Sequence, residues 1–198
     1  MPTIEPMKLD LQTPLNAISE RSLAEHYKLY AGYVERYNEL TLRLDAVRGR
    51  GTIMAIAELE SLKVDVTFAL GAIKNHEIYF GMLGPEGDAP RGSLEAAIIK
   101  GFGSVANYMI DLKHTAAAAR GWAWTVYDLD YGHLFNYPGT AQNAMPVPNV
   151  LPILAIDLYG HAYFYDFGTN KTAYVEAVIQ DVAWERVGRR FEKVRGMK

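Results

Sequence analysis

An aspartate and a histidine follow an apolar run in the C-terminal half of the chain, and both residue types can bind metal ions. The run, V-L-P-I-L-A-I at residues 150–156, has the length and composition of a buried strand. Asp157 stands where that strand should end, and His161 follows four residues later, after Gly160. Such a pair at the end of a buried strand could supply two ligands to a hard or borderline metal ion. The alternative is that Asp157 is a cap and His161 a surface polar group.

A third candidate ligand lies on a predicted first helix. Ser19 can cap this helix, which is predicted over about Glu20–Asp45. His26 lies on its apolar face, whose members follow the three- and four-residue spacing of a helix. Because a lone histidine on such a face is more often a core residue with one hydrogen bond, His26 alone does not establish a site. The face comprises Leu23, His26, Tyr30, Tyr33 and Tyr37.

His76 is the fourth candidate, on a second helix predicted over about Thr52–Leu83 with a bend near Gly71. A short polar break, R-G-R-G at residues 48–51, separates the two helices and favours an antiparallel hairpin. The inner faces of such a hairpin would let His26 and His76 approach each other. The stripe that carries His76 comprises Met54, Ala57, Leu62, Val66, Ala69, Ile73 and His76.

Residues 84–92, G-P-E-G-D-A-P-R-G, are the clearest linker in the chain. They predict a helical hairpin domain at residues 1–88, which begins with an extended arm at 1–17, and a C-terminal domain at 89–198. The fold class is α+β: a long N-terminal helical hairpin, followed by an α/β domain with a three-stranded antiparallel sheet flanked by helices. The elements predicted after the linker are helices Ser93–Lys100 and Val105–Arg120, strands Gly121–Tyr127, His133–Tyr137 and the Val150 run, and helical residues Thr172–Lys193.

The composition excludes several classes of function. The 198 residues include no cysteine, which rules out disulfides, thiolate metal ligands and a cysteine nucleophile. The net charge is −3 and there is no long basic run, so we expect no nucleic-acid partner. No apolar segment reaches the length of a membrane span and no targeting segment is visible, so a cytoplasmic protein without membrane contact is expected.

Five short motifs carry a resemblance. They are I-S-E-R-S-L-A-E-H-Y at residues 18–27, N-H-E-I-Y-F at 75–80, F-G-S at 102–104, G-W-A-W at 121–124 and D-L-Y-G-H-A-Y at 157–163. In this order and at these intervals, the chain resembles the iron/manganese superoxide dismutase family over nearly its whole length. Each motif is modest alone, and the resemblance rests on all five together.

The resemblance implies a metal site and a reaction. The family binds one iron or manganese ion per chain, and its three histidines and one aspartate match His26, His76, Asp157 and His161. The substrate is the superoxide anion, which is converted to dioxygen and hydrogen peroxide in an antioxidant reaction. A ligand set of three nitrogens and one oxygen without sulfur suits either metal, so the sequence does not choose between iron and manganese. His114 and His133 match no ligand position.

The residues after the first ligand depart from the family pattern, H-x-x-K-H-H-x-x-Y-V. Residues 26–34 are H-Y-K-L-Y-A-G-Y-V, with one residue missing, most simply between Tyr27 and Lys28. Lys28 matches the lysine and Tyr33 the gateway tyrosine, while Leu29 stands where a gateway histidine is expected. Seven residues of helix bring Tyr33 back to the face of His26.

Contacts between family subunits are also affected. Phe164 replaces the tyrosine that bonds the gateway histidine across the dimer, and Gly160 replaces the glutamate that reaches the partner's ligand histidine. A buried polar group that loses its hydrogen-bond partner destabilises the protein by about 1–3 kcal/mol. We therefore expect the polar residues on the two sides of the dimer interface to be lost together. A homo-oligomer is compatible with the sequence, but we expect the usual dimer to be absent or rebuilt with apolar contacts.

The resemblance implies further residues around the metal. Trp122 keeps its place, while Tyr159 and Phe80 replace tryptophans found in many members. The glutamine that bonds the metal's solvent comes, in the family, from the second helix or from the loop before the third strand. The helix position matches Ala72 and the loop position Asn143, and a small change of register would let Gln142 serve instead. Gly168 replaces the active-site arginine, so electrostatic steering of superoxide would rest in part on Lys28 or Lys171.

Two functions therefore compete. The first is an active superoxide dismutase with Tyr33, Trp122, Lys28 and either Gln142 or Asn143 around a mononuclear iron or manganese centre. The second is a divergent metal-binding homologue with little or no dismutase activity, such as a metal buffer or an interaction protein. The four ligand types favour the first, and the missing arginine, histidine and glutamate favour the second.

Overall fold

Two long antiparallel helices form the first layer of the protein. The structure is a computed structural model that describes residues 1–9, 15–16, 18–47, 53–84, 89–144 and 147–197. The two helices are α1 (Glu20–Val47) and α2 (Ile53–Met82). The Ser19 hydroxyl accepts a hydrogen bond from the Ser22 N–H at 3.1 Å, so Ser19 caps α1 as predicted. The ring of His26, near the start of α1, lies 5.1 Å from that of His76, near the end of α2, which fixes the antiparallel arrangement.

The facing sides of the hairpin follow the predicted stripes with one exception. On α1 the predicted face is buried, with Tyr33 partly so. On α2 the stripe is buried from Leu62 to His76, but Ala57 is exposed and that prediction was wrong. Leu59 packs against the core in its place. The side chain of Met54 and the break at residues 48–51 lie outside the described residues.

A three-stranded sheet forms the second layer. It consists of β1 (Trp122–Asp128), β2 (Leu134–Gly139) and β3 (Val150–Asp157), in the order β2-β1-β3 with both pairs antiparallel. Because β1 is central, all seven of its residues are buried. β2 ends two residues later than predicted and includes Pro138, which an edge strand tolerates.

Five shorter helices flank the sheet: α3 (Gly92–Phe102), α4 (Val105–Ala118), α5 (Gly160–Phe167), α6 (Lys171–Gln180) and α7 (Trp184–Arg195). The stretch predicted as helical after Thr172 is two helices separated at Asp181. α5 was not predicted, since its aromatic residues favour helix only weakly. Tertiary contacts hold it: Asp166 accepts hydrogen bonds from the N–H and the hydroxyl of Ser19 at 2.9 and 2.7 Å.

Side-chain hydrogen bonds tie the layers together. The indole of Trp124 on β1 donates to the Asn75 carboxamide oxygen on α2 at 3.2 Å. Residues 1–9 contain no helix or strand, and their backbone is bound to α1. The Met7 N–H donates to the Tyr30 hydroxyl at 2.8 Å, and the Tyr27 hydroxyl donates to the Met7 carbonyl at 2.8 Å. The site described below lies where the hairpin meets the sheet.

None of the helices in the described part of the chain is both long enough and apolar enough to span a membrane.

Candidate metal centre

Four potential ligands from four elements converge between the two layers. His26 comes from α1, His76 from α2, Asp157 from the last position of β3, and His161 from the first turn of α5. Their ligand atoms all lie within 4.8 Å of one another. The Asp157 Oδ2 atom is their common neighbour: His26 Nε2 and His161 Nε2 each lie 3.2 Å from it, and His76 Nε2 lies 3.6 Å from it.

The cluster is enclosed on all sides but one. His76 and Asp157 are completely buried, and His26 is 2% exposed. The His161 side chain is 26% exposed, so the site reaches solvent on that side. Next to it, Gly160 is exposed, and no atom lies within 4 Å of where a side chain at this position would begin. The glutamate expected from the family at this position would therefore have room.

The ring of His76 is oriented so that a lone pair faces the carboxylate. Its Nδ1 lies 2.7 Å from the Ala72 carbonyl oxygen, which can only accept a hydrogen bond, so Nδ1 carries the proton. Its Nε2 is then an acceptor, and this atom is buried without a hydrogen-bond partner. A cation between this nitrogen and the carboxylate oxygen would satisfy both atoms.

Burial and the shared carboxylate set the charges of the site. Burial lowers the pKa of His26, and the nearby Asp157 only partly opposes this shift. Burial likewise lowers the pKa of His76, to about 4, against the attraction of Asp157. Burial alone would raise the pKa of Asp157, but hydrogen bonds from His161 and His26 outweigh it and hold that pKa below its usual value. At neutral pH the cluster thus contains neutral imidazoles at His26 and His76 beside an ionised carboxylate.

This donor set fits a particular kind of metal ion. Neutral imidazole nitrogens and one carboxylate oxygen, without sulfur, suit divalent and trivalent iron or manganese. The Nε2 atom of His76 has no hydrogen-bond partner, so its lone pair is available to bind a metal ion. The residues present therefore fit one such ion.

Aromatic rings surround the cluster. The rings of Tyr79 and Phe80 lie 5.1 and 5.0 Å from that of His26, and the Trp122 indole lies 5.2 Å from His76. On the open side, the ring of Tyr159 stacks on His161 at 5.4 Å. Phe80 and Tyr159, which the resemblance matches to tryptophans of many family members, thus lie beside the cluster.

The sequence did not decide between the carboxamides of Gln142 and Asn143, and in the structure these two side chains point in different directions. Gln142 is 2% exposed, its side-chain oxygen accepts a hydrogen bond from the Trp122 indole at 2.9 Å, and it is hydrogen-bonded to Tyr33. The ring of Tyr33 lies 5.7 Å from that of His76. Asn143 faces outward and donates to the Thr67 hydroxyl at 3.2 Å. The chain therefore brings Gln142, Trp122 and Tyr33 to the cluster, but not Asn143.

Lys28 also lies away from the cluster. Its side chain is 70% exposed, and its ammonium lies 2.7 Å from a carboxylate oxygen of Glu25. Gly168, where the resemblance predicts an arginine, adopts φ +55° and ψ −124° at the end of α5. Only glycine adopts this backbone conformation without strain, so an arginine could not simply be restored there.

Sequence reasoning missed two residues that position Gln142. The Asn75 amide donates to the Gln142 backbone carbonyl at 2.9 Å, and its oxygen accepts from Trp124. Gly71 lets the Gln142 loop approach α2, because a Cβ atom there would lie 2.3 Å from the Gln142 carbonyl oxygen. Asn75 was detectable as a polar residue beside His76 on an apolar face, whereas the close approach at Gly71 left no local signal.

The fold and the site together define a class: α+β proteins with a cluster of three histidines and one aspartate between a helical hairpin and an antiparallel sheet. The sequence profile of iron/manganese superoxide dismutases, C-terminal domain, matches residues 90–190. An iron superoxide dismutase of Aquifex aeolicus is 34% identical over 185 residues, which cover 90% of this chain and 86% of the relative. A manganese superoxide dismutase of Halobacterium salinarum is 30% identical over 192 residues, which cover 96% of this chain and 94% of the relative. The chain belongs to the iron/manganese superoxide dismutase family.

Proposed function

We propose that this protein is a superoxide dismutase with one iron or manganese ion held by His26, His76, Asp157 and His161. The observation that carries the proposal is the buried Nε2 of His76, which has no hydrogen-bond partner and faces the carboxylate that two other histidines share. The net reaction consumes two superoxide anions and two protons and yields one dioxygen and one hydrogen peroxide. A bound iron or manganese ion would supply the redox couple that takes an electron from one superoxide and gives it to the next.

The protein's part is first to keep the ligands in the right protonation states. Burial keeps His26 and His76 neutral at neutral pH, and the lone pair of His76 Nε2 is available because Nδ1 carries the proton. Ionised Asp157 adds one negative charge to the centre, and the Ala72 carbonyl holds the ring of His76 in one orientation. Because His26, His76 and Asp157 are buried among aromatic rings, electrostatic interactions between them are stronger than they would be in water.

Tyr33 and Gln142 are the groups placed to handle protons. Burial raises the pKa of Tyr33, although its hydrogen bond with Gln142 opposes the shift, so the phenol stays protonated and can donate at neutral pH. Trp122 fixes the Gln142 side-chain oxygen and Asn75 fixes its backbone. Together they would orient a hydrogen bond toward solvent or substrate beside His76.

Product stoichiometry tests the proposed reaction. Superoxide is supplied to iron-loaded and manganese-loaded protein, and dioxygen and hydrogen peroxide are measured together. We expect one dioxygen for each hydrogen peroxide, both formed faster than in buffer without protein, since each metal cycle oxidises one superoxide and reduces another. Peroxide without matching dioxygen would mean that the protein only reduces superoxide, and the dismutase proposal would be wrong.

A divergent metal-binding homologue with little or no dismutase activity is the second candidate. The backbone at Gly168 favours it, because the arginine that would attract superoxide is absent and cannot be accommodated there without strain. Steering is worth roughly 10 to 10³ in encounter rate. One metal ion per chain combined with a decay rate no faster than that of the free ion would select this candidate.

A further inference from the structure

A line of oxidisable aromatic side chains leads away from the candidate metal centre. It begins at Trp122, whose indole contacts His76 at 5.2 Å. Trp124 is stacked on Trp122 at 6.5 Å with an angle of 15° between the rings, and the ring of Tyr137 lies 5.2 Å from Trp124. Each step joins side chains in or near van der Waals contact, which allows rapid electron transfer between them.

The register of the sheet produces this line. Trp122 and Trp124 are two residues apart on β1 and therefore point to the same face, and Tyr137 is the direct partner of Trp124 on β2. Gly139, the partner of Trp122, leaves room for the Trp124 ring, because a Cβ at Gly139 would lie 2.1 Å from a carbon of that ring. A larger residue there would displace Trp124 from the line.

Burial and composition give the line a direction. Both tryptophans are completely buried, while Tyr137 is partly exposed. The ring contact beyond Tyr137 on β2 is with Phe135, at 5.9 Å, and a phenyl ring is much harder to oxidise. The chain has no cysteine, so no thiol can intercept an oxidising equivalent. Tyr137 is therefore the member of the line that reaches the surface.

We propose that Trp122, Trp124 and Tyr137 carry oxidising equivalents from the metal centre to the surface, and that Tyr137 is the residue that becomes oxidised. The proposal rests on the proposed function, because it needs a redox-active metal beside His76. The oxidant is hydroxyl radical, formed inside the site when the product, hydrogen peroxide, is reduced by one electron. Damage would then be diverted from the ligand histidines to a residue that is not part of the site.

The electron balance is as follows. Trp122 gives one electron to the hydroxyl radical, which becomes hydroxide and takes up a proton to form water. Trp124 then gives one electron to the oxidised Trp122, and Tyr137 gives one electron to the oxidised Trp124. The Tyr137 phenol loses its proton to solvent and becomes a neutral tyrosyl radical. The sum is one hydroxyl radical plus one tyrosine giving one water plus one tyrosyl radical.

The test uses iron-loaded protein treated with hydrogen peroxide, and the oxidised residues are located by peptide mass spectrometry. Tyr131 is the internal control, since it is 82% exposed and has no ring contact with the line. We expect Tyr137 to be modified in preference to Tyr131. Greater modification of Tyr131 would point to radicals in bulk solution and would overturn the proposal. Preferential modification of Tyr163 would also overturn it, because the oxidising equivalent would then leave through Tyr79 and Tyr174.

Trp124→Phe interrupts the line with a ring that is hard to oxidise. We expect modification of Tyr137 to fall several-fold and that of Trp122 to rise. Trp184→Phe is the matched control, because Trp184 is also buried but contacts Tyr108 rather than the line. Unchanged modification of Tyr137 in folded Trp124→Phe would overturn the proposal. If Trp124→Phe does not fold, Tyr137→Phe takes its place: the tyrosyl signal in rapid-freeze electron paramagnetic resonance should disappear, and its persistence would count against the line.

Iron content and superoxide decay are measured on the same samples, which separates this proposal from the proposed function. Bound iron without dismutation would contradict the function, while the peroxide experiment would still test the line. If the protein binds no iron, flash photolysis of the metal-free chain ionises the buried indoles directly. Growth of a tyrosyl signal as the indole radical decays, lost in Tyr137→Phe, supports the line, and its absence in the parent protein contradicts it.

Discussion

His76 is the residue on which the ligand assignment depends most directly. Its Nε2 is buried without a hydrogen-bond partner, while Nδ1 is fixed by the Ala72 carbonyl. We predict that His76→Ala reduces bound iron or manganese from about one ion per chain to near zero, because three ligands remain and the cavity fills with water. Metal content after dialysis, measured by mass spectrometry, gives the answer.

The control for this variant is His114→Ala, since His114 is exposed on α4 and lies outside the cluster. It should keep its metal and its stability. Stoichiometric metal in His76→Ala would contradict the ligand assignment.

Tyr33 is predicted to serve the reaction rather than the binding of metal. Its ring lies beside His76, but its phenol is hydrogen-bonded to Gln142 and is not part of the four-residue cluster. Tyr33→Phe should therefore keep its metal and change the rate of superoxide decay or its inhibition by peroxide. Parallel assays of metal content and stopped-flow decay separate the two effects. Loss of metal in this variant would assign Tyr33 a structural role.

At the scale of elements, the approach of the Gln142 loop to α2 depends on Gly71. Because a Cβ at this position would lie 2.3 Å from the Gln142 carbonyl oxygen, Gly71→Ala must displace the loop. We predict retained metal and a superoxide decay rate lower by about 10–100-fold, the usual effect of losing a hydrogen-bond partner around a metal site.

Gly81→Ala is the matched control in the same helix. No atom lies within 4 Å of a Cβ at Gly81, so this variant should keep full activity and gain about 0.5–1 kcal/mol of stability. A wild-type decay rate in Gly71→Ala would mean that Gln142 does not depend on this close approach.

Elements with a strong periodic pattern were predictable from the sequence, and those held by distant contacts were not. The strand that ends at Asp157 and both hairpin helices appear as predicted. Their buried positions must be apolar, so the sequence shows the apolar run of a buried strand and the helical spacing of apolar residues. The eight residues of α5 have no such pattern, and their anchor at Ser19 is remote in sequence. The choice between Gln142 and Asn143 likewise depends on Trp122 and Asn75, which lie on other elements.

At the scale of the whole molecule, the cluster joins the two predicted domains. His26 and His76 belong to residues 1–88, and Asp157 and His161 to residues 89–198. The predicted boundary between these domains, after residue 88 in the linker 84–92, remains a prediction, and residues 85–88 of that linker lie outside the described residues. So does the altered dimer, for which exposed Phe164 and Gly160 are the relevant surface.

The many buried tyrosines predict sensitivity to alkaline pH. Burial raises the pKa of Tyr30 to about 12 and also raises those of Tyr79, Tyr108 and Tyr174. Since tyrosine in an unfolded chain has a pKa of about 10, the unfolded state loses its protons first. The contribution of these tyrosines to the free energy of unfolding should be constant below about pH 10 and fall as the pH rises toward about 12.

Urea unfolding across this pH range measures the effect, and tyrosinate absorbance follows the ionisation. We expect the absorbance of the buried tyrosines to appear together with unfolding. An unfolding free energy that does not change up to about pH 12 would contradict the burial of these phenols.

The central claim is that one iron or manganese ion, held by His26, His76, Asp157 and His161, catalyses the dismutation of superoxide. Stopped-flow decay of superoxide tests it most directly, on protein loaded separately with iron and with manganese and assayed for metal in the same samples. We predict decay much faster than that caused by an equal concentration of free ion, with one of the two metals and at one ion per chain. Stoichiometric metal with decay no faster than that of the free ion, for both metals, would contradict the claim.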